Sequence, residues 1–137
     1  MISSPQKDGE YTEIWSNQAL DSLHGGVVWV TNPHTNLYGS DSKGNWVCQN
    51  ISTGEVLFKE KLLDAKGAIT WADGMLYCYS EKGTLGLVRP TKDGMELVSS
   101  FKITKGSGDH WAHPVVCNGR LYMRHGDVLM AFDVKKK

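Results

Sequence analysis

Residues 109–114 read Asp-His-Trp-Ala-His-Pro and bring two imidazoles, a carboxylate and an indole within six positions. His110 and His113 are three apart with Asp109 adjacent, and His24 stands at a comparable place earlier in the chain, just before Gly25-Gly26. Imidazole and carboxylate suit zinc or another transition metal. In extended chain, positions i and i+3 point to opposite faces, so a shared metal at His110 and His113 needs a turn. Gly106, Gly108 and Pro114 permit one. The same four residues (His24, Asp109, His110 and His113) equally suit capping of strand ends and bonding of loop carbonyls, so both readings stand. Carboxylates at Asp41, Glu81 and Asp127 fall at or near turns, where they are expected as turn and surface residues, and no acid/base pair is read there. No GxGxxG, Walker loop, GxSxG or HExxH occurs.

The elements that must position these side chains follow from a repeat. Gly74 follows Thr-Trp-Ala-Asp and precedes Met-Leu-Tyr-Cys, and Gly119, 45 residues on, follows Val-Val-Cys-Asn and precedes Arg-Leu-Tyr-Met. Leu37-Tyr38, Leu76-Tyr77 and Leu121-Tyr122 recur in register, followed by turns at Lys43-Gly44, Lys82-Gly83 and His125-Gly126. Thr53-Gly54 and Asp93-Gly94 mark a third turn in two of the copies. The runs between are rich in Val, Ile, Leu, Tyr, Trp and Thr, which is strand composition bounded by turn chemistry. Asp73-Gly74 and Asn118-Gly119 supply the φ > 0 pair of a tight hairpin. Strands are therefore predicted at 26–31, 37–41, 45–51 and 55–62, then 67–72, 75–81, 84–90 and 95–103, then 111–117, 120–125 and 128–134. Trp29, Trp46, Trp71 and Trp111 fall in these strands, where packing between sheets accounts for them more simply than a stacking platform for a ligand.

A period of about 40 to 45 residues with four strands per unit is the mark of a β-propeller blade. The fold class is thus all-β, with about three four-stranded antiparallel blades at roughly 24–62, 66–103 and 110–134. Residues 1–9 are read as a flexible segment. The third copy shows three strands, whereas residues 10–17 resemble a fourth-strand segment, with Trp15 in the place of Phe58 and Phe101. Three blades cannot close a ring, since propellers use about four to eight. Two copies related by a two-fold axis, each lending its N-terminal strand to the other's last blade, would make six. The competing expectation is an open half or a piece of a longer propeller.

Composition limits the partners. Lys+Arg and Asp+Glu are 15 each, so the net charge is +0 and gives no reason to expect nucleic acid. The tail Lys135-Lys136-Lys137 reads as a solvated charge run. No apolar run approaches the roughly 20 residues that span a bilayer. The start, MISSPQKDGEY, lacks the basic-then-apolar pattern of a secretion signal, so as written the chain reads as a soluble protein without an export address. Cys48, Cys78 and Cys117 form no CxxC or adjacent pair and read as buried small hydrophobes.

Cys48 to Phe58, CQNISTGEVLF, resembles the AxDxxTGxxxW repeat of quinoprotein-type propellers, with Cys48 for Ala, Asn50 for Asp and Phe58 for Trp. Ala131-Phe132-Asp133 resembles its start. ADGMLYCYSEKGTL and HPVVCNGRLYMRHGDVLMAFD resemble the C-terminal repeats of bacterial PQQ-like β-propeller proteins. That resemblance implies that Thr53, Gly54 and Phe58, with Trp15, dock one blade on the next. It also implies one of two functions. Some members bind pyrroloquinoline quinone and oxidise alcohols or sugars, and the alcohol dehydrogenases among them carry an adjacent cysteine pair that is absent here, with no match for their calcium site. Others bind partner proteins and catalyse nothing. Members are often exported. The expectation is a non-catalytic scaffold for a protein or small ligand, without a quinone. A quinone-dependent oxidoreductase and a histidine metal site in a central channel are the alternatives.

Overall fold

In the computed structural model, which describes residues 11–31 and 35–135, the hairpin signals act where the sequence places them. Asp73 and Gly74 have φ of 52° and 78°, and Asn118 and Gly119 have 52° and 73°. Two consecutive left-handed residues make a turn whose twist matches that of the strands it joins. β1 (Val28–Val30), β2 (Asn36–Ser40), β3 (Trp46–Asn50) and β4 (Val56–Glu60) form one four-stranded sheet of sequential order. A second sheet runs β5 (Gly67–Ala72), β6 (Met75–Ser80), β7 (Thr84–Thr91) and β8 (Gly94–Lys102), and a third β9 (Val115–Cys117), β10 (Arg120–His125) and β11 (Val128–Asp133). Every neighbouring pair is antiparallel.

The three sheets are copies in register as well as in order. Tyr38 lies opposite Cys48, Tyr77 opposite Leu87 and Tyr122 opposite Ala131. The recurrent Leu-Tyr pair therefore occupies one structural position three times. The sheets stack face to face as propeller blades. Tyr38, Trp46 and Cys48 of blade 1 meet Ile69, Leu76, Cys78 and Val88 of blade 2, with Leu63 and Met95 filling the seam. The opposite face of blade 2, through Tyr77, Tyr79 and Leu85, meets Leu121 and Met123 of blade 3, together with Ile103. Trp46 and Tyr79 are completely buried, each worth roughly 2–3 kcal/mol of apolar burial.

Aromatic rings lie against turn glycines of the neighbouring sheet. A Cβ on Gly94 would stand 2.6 Å from Phe58 Cδ2, so the ring of blade 1 lies against the β7–β8 turn of blade 2. Trp15 does the same to blade 1: a Cβ on Gly54 would stand 2.6 Å from its Cε3, and its indole Nε1 donates to Ile51 O at 3.0 Å. Thr53 shapes the turn, its Oγ1 accepting from Glu55 N at 3.2 Å.

Residues 11–17 are not assigned to a strand within the described residues, and Trp15 and Asn17 dock on the 51–54 turn. Several other expectations are corrected. Residues 1–10 lie outside the described residues, as do Lys136 and Lys137. Phe101 does not share the Phe58 position, since it lies opposite Leu85 and its ring meets Phe132 at 5.1 Å. The strand expected at 111–117 is confined to Val115–Cys117, because Pro114 cannot donate to a ladder. That leaves Trp111 outside the strand and 46% exposed. Cys48 and Cys78 are buried, whereas Cys117 is exposed. Asp41 is buried rather than solvated: it accepts from Asn45 and Lys43 and pairs with Lys59, closing the β2–β3 turn.

Candidate functional site: the loops entering the inner strands

Each blade begins with an inner strand, and the chain reaches the three of them through connectors that touch. Gly67, at the start of β5, is bonded through both N and O to Ser40 Oγ. Its carbonyl is so close to Gly25, before β1, that a Cβ there would lie 2.1 Å from it. Thr70 Oγ1 on β5 donates to Pro114 O before β9 at 2.6 Å. The segments carrying His24 and residues 109–114 are thereby brought to one end of the blades, as a ring geometry requires.

At that end two of the four candidate residues meet. His113 Nε2 lies 3.3 Å from His24 O, and the His24 ring stacks on Trp111 with centroids 3.9 Å apart at 21°. His24, Trp111 and His113 are all exposed. His110 and Asp109 do not join them. The bends at Gly106 and Gly108, both with φ of 90°, precede His110 rather than separating it from His113, so the two rings diverge. His110 turns inward, where Nδ1 bonds the Tyr79 hydroxyl and the ring stacks on His125 at 3.7 Å and 17°. Asp109 is exposed and acts on His110 only through its charge. Among the described residues, no group of three or more His, Cys, Asp or Glu is placed to hold a metal. His110 and His113 are thus not brought together among the described residues.

Sequence reasoning missed Tyr79 and His125 as parts of this region, and placed Trp111 in a strand rather than in the exposed stack on His24. His125 lies against two carbonyls of the loop between β8 and β9: Nδ1 is 2.8 Å from Lys105 O and Nε2 is 2.8 Å from Gly108 O. It therefore fixes the loop that carries 109–113. Nothing in the pattern Met-Arg-His-Gly points to that, because the partner loop lies 17 to 20 residues away.

Burial, and then the neighbouring His125 charge, push His110 below the ordinary imidazole pKa; Lys102 acts in the same sense, and Asp109 and Asp64 oppose it. A depressed imidazole binds its proton more readily in the unfolded chain. Stability from this group is therefore full above the unfolded value of about 6.5 and falls as pH drops below it. The urea midpoint is expected to be lower at pH 5.5 than at pH 7.5, and His110→Asn should flatten that difference. A slope unchanged by the substitution would show that His110 does not carry it.

Blades stacked face to face, each entered by an inner strand at a shared loop end, define the β-propeller class. No family model matches the chain. No curated protein matches it. Among solved structures, it is similar to the crystal structure of BamB from Moraxella catarrhalis, with a TM-score of 0.53 and 23% sequence identity. The likeness covers 72% of this chain and 29% of that chain, so this chain spans under a third of that structure. At this identity the likeness concerns the fold.

Proposed function

We propose that the chain is a non-catalytic β-propeller scaffold that binds a protein through the loops entering its inner strands, and that it works as a homodimer completing one ring of blades. The observation that carries the binding role is Trp111, an indole 46% exposed yet held by its stack on His24. An exposed tryptophan fixed in one orientation offers large contact area with little ordering cost, and tryptophan dominates protein interfaces for that reason. His24 and His113 flank it as polar donors and acceptors. The inward histidines are already engaged with Tyr79 and with loop carbonyls, which supports a structural role for them.

The test compares the chain and its Trp111→Ala variant as baits in an extract of the source cells, with retained proteins quantified by mass spectrometry. One protein should be held by the unaltered chain and retained at least ~10-fold less by the variant, with circular dichroism unchanged. Equal retention by both baits overturns the reading. So does a saturable absorbance change with dye reduction on adding pyrroloquinoline quinone and calcium, which would support an oxidoreductase. A zinc-dependent thermal shift lost in His113→Ala would instead support a metal site at this end.

A further inference from the structure

Two features of the fold are incomplete in complementary ways. The first is the outer edge of blade 3. Blades 1 and 2 close with β4 and β8, whereas among the described residues β11 pairs only with β10. Leu129 on β11 lies opposite Arg124, as Trp46 lies opposite Ser40 and Leu85 opposite Tyr79. These three residues hold one structural position. Trp46 and Leu85 are 0% and 2% exposed because the next blade covers them, but Leu129 is 68% exposed. A groove of about 310 Å³ runs along β11, lined by Lys102, Lys105, Leu129 and Phe132 among others.

The second feature is the segment 11–21. Trp15 seats on Gly54 as Phe58 seats on Gly94. Leu20 covers Gly39, with Cδ2 3.1 Å from a built Cβ, as Leu63 covers Gly86 at 2.8 Å. Asp21 grips Ser42 through both its N and Oγ, as Asp64 grips Ser80 and Thr84. Trp15, Leu20 and Asp21 each stand 43 residues before Phe58, Leu63 and Asp64. Residues 11–21 are therefore built as the outer strand and connector of a blade that precedes blade 1. Its inner strands are not among the described residues, and Tyr11 and Ile14 are left 77% and 80% exposed.

We infer that residues 11–17 of one copy form the fourth strand of blade 3 of a second copy, and reciprocally. This rests on the reading of the chain as a homodimer. Phe58 pairs opposite Cys48, and Cys48 shares its position with Ala131, both facing the repeat tyrosine. Trp15 then lies opposite the partner's Ala131 while its ring stays on its own Gly54, so one side chain ties the two copies together. The open face of blade 1 completes the contact. Val27 holds the position of Ile69, since Trp29 faces Leu37 as Trp71 faces Leu76. Ile69 is 3% exposed under blade 1, whereas Val27 is 49% exposed, as expected of a residue awaiting a blade. A two-fold arrangement fills both gaps with one interface and yields six blades, whereas three copies would yield nine, beyond the usual range of about four to eight. An exposed strand edge beside exposed apolar side chains is also a surface that proteins normally cover.

Light scattering behind a sizing column should give about twice the 15.2 kDa chain mass. A monomeric mass overturns the dimer and the inference together. Ile14→Lys and Leu129→Arg each place a charge in the proposed contact while altering a residue that is exposed in the single chain. Each should raise the dimer dissociation constant by on the order of 100-fold, with circular dichroism unchanged. If Leu129→Arg fails to fold, Ile14→Lys decides. A dimer that tolerates Ile14→Lys overturns this pairing while leaving the homodimer standing on some other surface.

Discussion

Gly67→Ala is expected to leave the chain unfolded, or at least ~4 kcal/mol less stable, the range reserved for changes the core cannot absorb. A Cβ on Gly67 would lie 1.8 Å from Tyr79 O and 2.8 Å from Ser80 Cα, in the backbone of the neighbouring strand. That backbone cannot retreat, because Gly67 is opposite Ser80 in the β5–β6 ladder and Tyr79 is packed against blade 3. Nor can Gly67 move away, since Ser40 Oγ holds both its N and its O, and Gly25 sits against the carbonyl. The demand is for space, not for an unusual φ. Gly74→Ala is the matched comparison: nothing lies within 4 Å of a Cβ there, but φ is 78°. It should cost only about 1–2 kcal/mol for the left-handed conformation. Urea denaturation of both variants checks the contrast. A Gly67→Ala protein as stable as Gly74→Ala would mean that the connectors of blades 1 and 2 do not converge as described.

What the sequence showed of this architecture was whatever depends on local chemistry. The hairpin residues Asp73-Gly74 and Asn118-Gly119 announce their turns because few other residues tolerate φ > 0. The Leu-Tyr repeats were legible because a blade position must alternate one face toward each neighbour. Trp15 was matched to Phe58 on the same ground, and both do seat on a turn glycine. Phe101 was misplaced because β8 is longer than β4, which moves its aromatic along the ladder.

The candidate site was harder, since its residues answer to partners distant in sequence. His110 and His113 look alike in a string, yet one is claimed by Tyr79 and His125 and the other by His24. An apolar run continues through Trp111 and predicts a strand there, whereas Pro114 keeps the ladder to Val115–Cys117. Asp41 has the local pattern of a surface turn carboxylate, but its buried role depends on Lys59 arriving from β4. Local pattern fixes elements and registers; which polar group is spent on structure is settled only when the blades meet.

His125→Ala is expected to cost about 2–4 kcal/mol and to disable the loop end without touching an exposed residue. The ring is buried, stacks on His110, and lies within bonding distance of Lys105 O and Gly108 O. Alanine removes the stack, leaves a void beneath the loop and strips those carbonyls of their partner. Apart from the bonds of His110 to Tyr79 and of Pro114 O to Thr70, the loop has no ladder to hold it, since Gly106 and Gly108 adopt φ of 90° and residues 103–114 contribute no strand. Its release carries Trp111 away from His24, although both side chains remain in the sequence. The variant should therefore lose partner retention as Trp111→Ala does, and amides of residues 104–113 should exchange faster than those of β5 and β6. His125→Gln, which keeps a donor in place, should recover part of the stability. A variant with an unchanged urea midpoint and full retention would show that the loop is held by something other than His125. Loss of stability with full retention would separate the fold from the binding end and place the partner elsewhere on the blades.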